Sequence, residues 1–87
     1  MSSFVDLLVK LDRLDHLVRR AVTGKPEELA ERLGMSRSRM FAMIKFLKED
    51  MNAPIVYDED RQSYVYTHPP KFYLGFERNK EDNDLNI

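Results

Sequence analysis

Residues 25–48 read KPEELAERLGMSRSRMFAMIKFLK, and the punctuation of this stretch sets the plan of the chain. Pro26 suits the first position of a helix, where its missing N–H costs no hydrogen bond and its φ is already helical. Glu27 and Glu28 fall in the first turn, opposite in sign to the positive end of the helix dipole. Leu29, Ala30 and Leu33 then give one apolar face at helical spacing. Gly34 offers the left-handed conformation by which chains leave helices, and Ser36 is a good N-cap for the next one. That second helix has Met40, Met43, Ile44 and Leu47 as its apolar stripe. Ala30 supplies the small residue that two steeply crossing helices need where they approach. The expectation is two helices, 26–33 and 37–49, joined by a three-residue turn containing glycine, which are the parts of a helix-turn-helix.

Downstream, Asn52-Ala53-Pro54 makes the turn out of the second helix, and Pro54 delivers Ile55 in an extended conformation. Residues 55–57 and 63–66 are short alternating runs rich in β-branched and aromatic residues, the pattern of strands. Ile55, Tyr57, Tyr64 and Tyr66 are expected to cover the helices, with Val56 and Val65 on the other face. The tip between the strands is Asp58-Glu59-Asp60-Arg61-Gln62, three acids before one cation. Pro69-Pro70 forces an extended segment, after which Phe72, Leu74 and Phe76 alternate with Tyr73 and Gly75. This predicts a third strand over 72–76. Residues 77–87, ERNKEDNDLNI, have little to bury and read as a disordered acidic tail.

Upstream, residues 3–22, SFVDLLVKLDRLDHLVRRAV, read as one long amphipathic helix ended by Gly24. Ser2 or Ser3 can cap it, with Asp6 completing a partial capping box. Phe4, Leu7, Leu11, Leu14, Val18 and Ala21 follow alternating spacings of three and four, a heptad seam. Leu8, Leu17 and Val22 widen that seam to the stripe of a helix covering a domain core. A helix of ~30 Å is longer than so small a module needs. The expectation is that its C-terminal half packs on the helix-turn-helix and its N-terminal half pairs with a second copy, giving a homodimer. One long core helix in a monomer is the alternative. Asp12 and His16 stand at i, i+4 and would be half of a metal site, but the neighbourhood adds only Asp15, so His16 reads as a surface residue.

The 87 residues have room for one small domain, 1–76, followed by the tail 77–87. The absence of cysteine excludes disulfides and thiolate metal sites and fits a reducing, cytoplasmic setting. Asp6, Lys10 and Asp12 interrupt the N-terminal apolar run, so neither a secretory leader nor a membrane span is expected. No nucleophile–base pair, acid–base pair or phosphate loop is visible; the chain does not read as an enzyme, and no cofactor or small-molecule ligand is implied. The net charge of −1 is unlike a nucleic-acid binder's basic excess. Its distribution is uneven: residues 77–87 hold two cations against four anions, whereas Ser36–Lys48 carries Arg37, Arg39, Lys45 and Lys48 with no acid.

The run EELAERLGMSRSRMF, with the hairpin NAPIVYDEDRQSYVY at 52–66, resembles the helix-turn-helix of bacterial winged-helix regulators. It is particularly similar to the N-terminal modules of WYL-domain and DeoR-type repressors, whose pattern is EELAE-LGVSRRT-YRDL followed by a short hairpin ending in an aromatic pair. The resemblance spans roughly Phe4–Tyr66, and small stand-alone proteins of this pattern add a KFYLGF-like tail. It implies an α+β fold, a winged helix-turn-helix of three helices and a small antiparallel wing, and a sequence-specific DNA-binding transcriptional regulator.

On that reading Arg37 and Ser38 lie in the first turn, the part of a recognition helix that reaches base edges. Arg37 and Arg39 are the candidates for bidentate contacts to guanine, and Ser38 is a permissive contact. Ser36 opens the helix. Phe41 and Ala42 are placed to meet a thymine methyl, although Ala42 stands where the family commonly has Arg. Lys45 and Lys48 are backbone contacts, as is Lys25 at the preceding N-terminus. The acidic wing tip opposes deep minor-groove insertion and leaves only Arg61 as a backbone contact. A winged-helix module that docks a protein rather than DNA is the other reading, favoured by the near-neutral charge, the acidic tip and Ala42.

Overall fold

The punctuation around Gly34 produces the expected local structure. The computed structural model describes residues 3–71. In it α2 runs Pro26–Leu33 and α3 runs Arg37–Glu49. Glu28 Oε1 accepts the Lys25 N–H at 2.8 Å, satisfying one of the donors at the start of α2. Gly34 has φ 66°, with its own N–H on the Glu31 carbonyl at 3.0 Å and the Met35 N–H on the Ala30 carbonyl at 3.0 Å. Those two bonds are the Schellman closure of a helix, and they need a residue that tolerates positive φ. Ser36 Oγ then accepts the Arg39 N–H at 3.2 Å and opens α3.

The first helix, α1, runs Ser3–Arg19 and ends three residues earlier than the apolar pattern implies. The expectation that Gly24 ends it is corrected: Ala21 takes the left-handed position, φ 58°. The Ala21 N–H bonds the Val18 carbonyl and the Val22 N–H bonds the Leu17 carbonyl, each at 3.0 Å. This is the same closure as at Gly34, with alanine accepting a strained φ. The gain is position. The chain turns early enough for Thr23 to be buried and for Arg32 to donate to the Val22 carbonyl at 2.6 Å. Asp6 pairs with Lys10 at 3.2 Å; the anticipated Ser2 or Ser3 cap lies outside the described side chains.

Strands β1 (Ile55–Asp58) and β2 (Ser63–Tyr66) pair antiparallel, Ile55 opposite Tyr66 and Tyr57 opposite Tyr64. The faces are as the alternation predicts: Ile55 and Tyr64 are buried, Tyr57 and Tyr66 pack on the core, and Val56 is exposed. Tyr57 and Tyr64 meet edge to face at 5.1 Å. Two polar joints fasten β2 to the helices. Thr23 Oγ1 accepts the Tyr64 N–H at 2.9 Å while Ser63 Oγ accepts the Thr23 N–H at 3.0 Å, both residues being sealed from solvent. Asp15, only 2% exposed, accepts the Tyr66 hydroxyl at 2.6 Å and the Arg19 Nε at 2.9 Å.

The described residues thus form an α+β unit of three helices and a two-stranded antiparallel sheet. Its core gathers Leu14 and Val18 of α1, Leu29, Ala30 and Leu33 of α2, the four stripe residues of α3, and Ala53, Ile55 and Tyr64. No described helix is long and apolar enough to cross a membrane. The anticipated third strand at 72–76 and the tail at 77–87 lie outside the described residues.

The Asp15–Tyr66 joint generates a pH dependence. Burial, then the hydrogen bond to Asp15 and the Asp15 charge, push the Tyr66 phenol far above its ordinary value of 10.0, with Arg19 opposing. A raised folded value means that the un-ionised phenol stabilises the fold, fully below pH 10 and progressively less as pH rises above it. Tyr66→Phe is expected to cost about 1–3 kcal/mol at neutral pH, the cost of a lost charge-assisted hydrogen bond. It should also reduce the alkaline loss of stability; urea denaturation followed at neutral pH and above pH 10 checks both.

Candidate nucleic-acid interface

Helix α3 buries Met40, Met43, Ile44 and Leu47, so at 100° per residue its opposite side is centred on Ser38 and Lys45. The ten positions singled out in the sequence, Lys25, Ser36, Arg37, Ser38, Arg39, Phe41, Ala42, Lys45, Lys48 and Arg61, are all exposed. Eight of them lie on α3 or its cap, and the structure divides these eight into sectors. Arg37 stacks its guanidinium over the Phe41 ring at 5.4 Å, a cation–π contact one helical turn long. The Arg37 charge is also felt at Tyr64, whose phenol burial and the neighbouring Tyr57 push up and Arg37 pulls down. The Arg37–Phe41 edge lies on the side of α3 away from Arg39, with Lys48 following two turns on from Phe41.

The other edge looks toward α1. Arg39, Ala42 and Phe46 line a groove of about 390 Å³ with Leu7, Leu11, Met35 and Met43. Arg39 thus stands apart from Arg37, beside an apolar wall. Phe46 faces α1 and stays 45% exposed. Ser36 has its Oγ engaged as an acceptor by the cap, which leaves its hydroxyl proton as the group it can offer.

The hairpin tip is less repulsive to anions than its sequence indicates. Asp58 Oδ1 accepts the N–H groups of Asp60 and Arg61 at 2.9 and 3.2 Å, the side-chain turn that aspartate makes with the backbone two residues on. Its other oxygen lies 3.7 Å from Arg61 Nε. One of the three acids is therefore built into the turn, and Gln62 closes it at φ 53°. Glu59 and Asp60 remain outward-facing beside an exposed Arg61.

Two features went unread in the sequence. One is the groove between α1 and α3, which no single helix pattern contains. The other is the Asp15–Tyr66–Arg19 joint; the i, i+4 spacing of Asp15 and Arg19 was its only local signal, and nothing nearby marked Asp15 as buried. Asp12 and His16 do meet, with Oδ1 3.4 Å from Nδ1, and His16 Nδ1 also lies 2.8 Å from the Asp12 carbonyl. Among the described residues no three His, Cys, Asp or Glu side chains gather as a metal site would require.

Compared with known proteins, the chain matches no family model, no curated protein and no solved structure.

The cap at Ser36 has a measurable role in presenting this face. Ser36→Ala removes the acceptor for the Arg39 N–H at the start of α3 and should destabilise the protein by ~1 kcal/mol, read as a lower denaturation midpoint with an unchanged m-value.

Proposed function

We propose that this chain is a winged helix-turn-helix module that binds double-stranded DNA with sequence preference, serving as a transcriptional regulator of the bacterial type it resembles. In this reading α2 and α3 are the helix-turn-helix, α3 enters the major groove, and the β1–β2 hairpin is the wing. The observation that carries it is the outward face of α3. Ser36–Lys48 holds four cations and no acid, on a helix whose opposite face is wholly committed to the core. A charge pattern free of acids has no use in packing, and phosphate is the ligand it suits.

The sectors assign the work. Arg37, preorganised by its stack on Phe41, is the base-reading arginine, with Ser38 beside it at the helix N-terminus. Lys45 and Lys48 take backbone phosphates, Lys25 adds a contact at the start of α2, and Arg61 approaches the duplex from the hairpin. Arg39 contributes charge from the groove edge rather than a base contact. The net charge of −1 does not oppose this strongly, because charges farther off than a Debye length of ~8 Å are largely screened at physiological salt. The protein-docking reading rests on the apolar groove beside α3, a surface that DNA has no chemistry to fill.

Selection from random duplexes at low salt tests the proposal; enrichment of a sequence is expected, and its absence at high protein concentration would falsify the DNA reading. With two to four phosphate contacts per copy, log K should fall with log salt at a slope of about −2 to −4 per copy. Arg37→Ala should cost ~1–3 kcal/mol on the selected site and relax one position, whereas Lys45→Ala should weaken all sequences alike. Glu59→Lys with Asp60→Lys should tighten non-specific binding while Asp58 keeps the turn intact.

A further inference from the structure

We propose that the groove between α1 and α3, together with the first two turns of α1, is the docking surface for α1 of a second copy of this chain. The surface is defined by what the core does not use. From Leu11 onward α1 gives Leu14 and Val18 to the core, with Leu11 and Leu17 packed against it. Before Leu11 the helix is apolar but open: Phe4 is 69% exposed, Val9 49%, and Leu7 and Leu8 37% each. These four side chains span well over a third of the helix circumference at 100° per residue, more than the α3 groove alone can cover. Phe46 extends the same surface onto α3.

Two properties fit a second copy. The first is area. The exposed parts of Phe4, Leu7, Leu8 and Phe46 amount to about 350 Å² of apolar surface per copy. With a polar rim of similar extent, two copies reach the ~1,200–2,000 Å² of a standard stable interface. The second is shape. Phe4 and Leu8 form a ridge one turn apart, and Leu7, Leu11 and Phe46 line a groove on the same surface. A two-fold axis passing between Leu7 and Leu8 sets antiparallel copies of α1 together, with Phe4 of each opposite Leu11 of the other. Ridge then meets groove twice, the self-complementarity that an isologous contact requires.

The consequence is a division of α3 into two edges. Arg39, Ala42 and Phe46 face the dimer, and Arg37, Phe41, Lys45 and Lys48 remain outside it. The dimer stands independently of the DNA reading, because the side chains on which it rests, Phe4, Leu7, Leu8, Leu11 and Phe46, have no DNA contact in that reading, and its test uses no DNA.

Sedimentation equilibrium of the full chain, across micromolar to millimolar concentrations, is the measurement. The native protein is expected to be a dimer, and Phe4→Glu and Phe46→Glu should each weaken it at least tenfold, while Lys45→Glu leaves it unchanged. Far-UV circular dichroism and thermal denaturation report whether each variant is folded. As a probe that leaves the apolar surface largely in place, Leu8→Cys in this cysteine-free chain should cross-link the dimer through a disulfide under mild oxidation. A native protein that stays monomeric at millimolar concentration overturns the proposal and assigns the groove to another occupant. So does a native dimer that survives both glutamate substitutions, or one that Leu8→Cys fails to cross-link.

Discussion

Met40 and Leu47 have no exposure, and they share one enclosure with Leu14 of α1, Leu29 and Leu33 of α2, Ile55 of β1 and Tyr64 of β2. Every element of the described chain therefore gives at least one side chain to sealing α3. Fully burying a side chain of this size contributes roughly 1.5–3 kcal/mol, against a net stability of about 5–15 kcal/mol for a domain. Few of these contacts can be lost before the fold is. The enclosure also fixes the rotation of α3 about its own axis. With four stripe residues inward, the direction of Arg37, Ser38, Lys45 and Lys48 follows without further instruction.

An isolated two-stranded hairpin is marginal in water, and β1–β2 is no exception in having to lean on something. Apolar packing through Ile55 and Tyr64 supplies part of that support. The remainder is polar and specific. Thr23 and Ser63 exchange hydrogen bonds across forty positions of sequence, and Asp15 reaches Tyr66 across fifty-one. Buried polar groups are costly unless paired, so these joints admit only one placement of the hairpin on α1. Among the described residues no buried side-chain nitrogen or oxygen lacks a partner. The price of that placement is Ala21 at positive φ, which lets α1 stop in time for Thr23 to turn inward.

The same architecture accounts for how a chain of net charge −1 can present a cationic face. Glu27 and Glu28 serve the N-terminus of α2, Asp15 is spent on Tyr66 and Arg19, and Asp58 is spent on the hairpin turn. The cations of α3 have no such internal employment beyond the Arg37 stack. Charge that the fold consumes is silent at a distance, and charge that it displays is what a ligand meets. Reading the total alone misses this distinction. It also misses that α3 has a second, apolar edge, where the groove with α1 begins.

Local chemistry was enough to place α2, the turn and α3 to the residue, because proline, glycine and serine act through the backbone within one turn of where they stand. It was enough as well for the strand faces, since a period of two leaves only two assignments and the tyrosines choose between them. The candidate site residues on α3 were legible as exposed for a related reason: a stripe that is buried dictates which side is not. The end of α1 was not legible, because Leu17, Val22 and Ala21 continue the apolar pattern past the point where a distant requirement, the seating of Thr23 against Ser63, bends the chain. Nor was the separation of Arg39 from Arg37, which depends on where α1 lies beside α3. Sequence periodicity specifies each element's faces; which faces meet is decided only when the elements compete for one core, and the groove, the buried Asp15 and the two edges of α3 come from that competition.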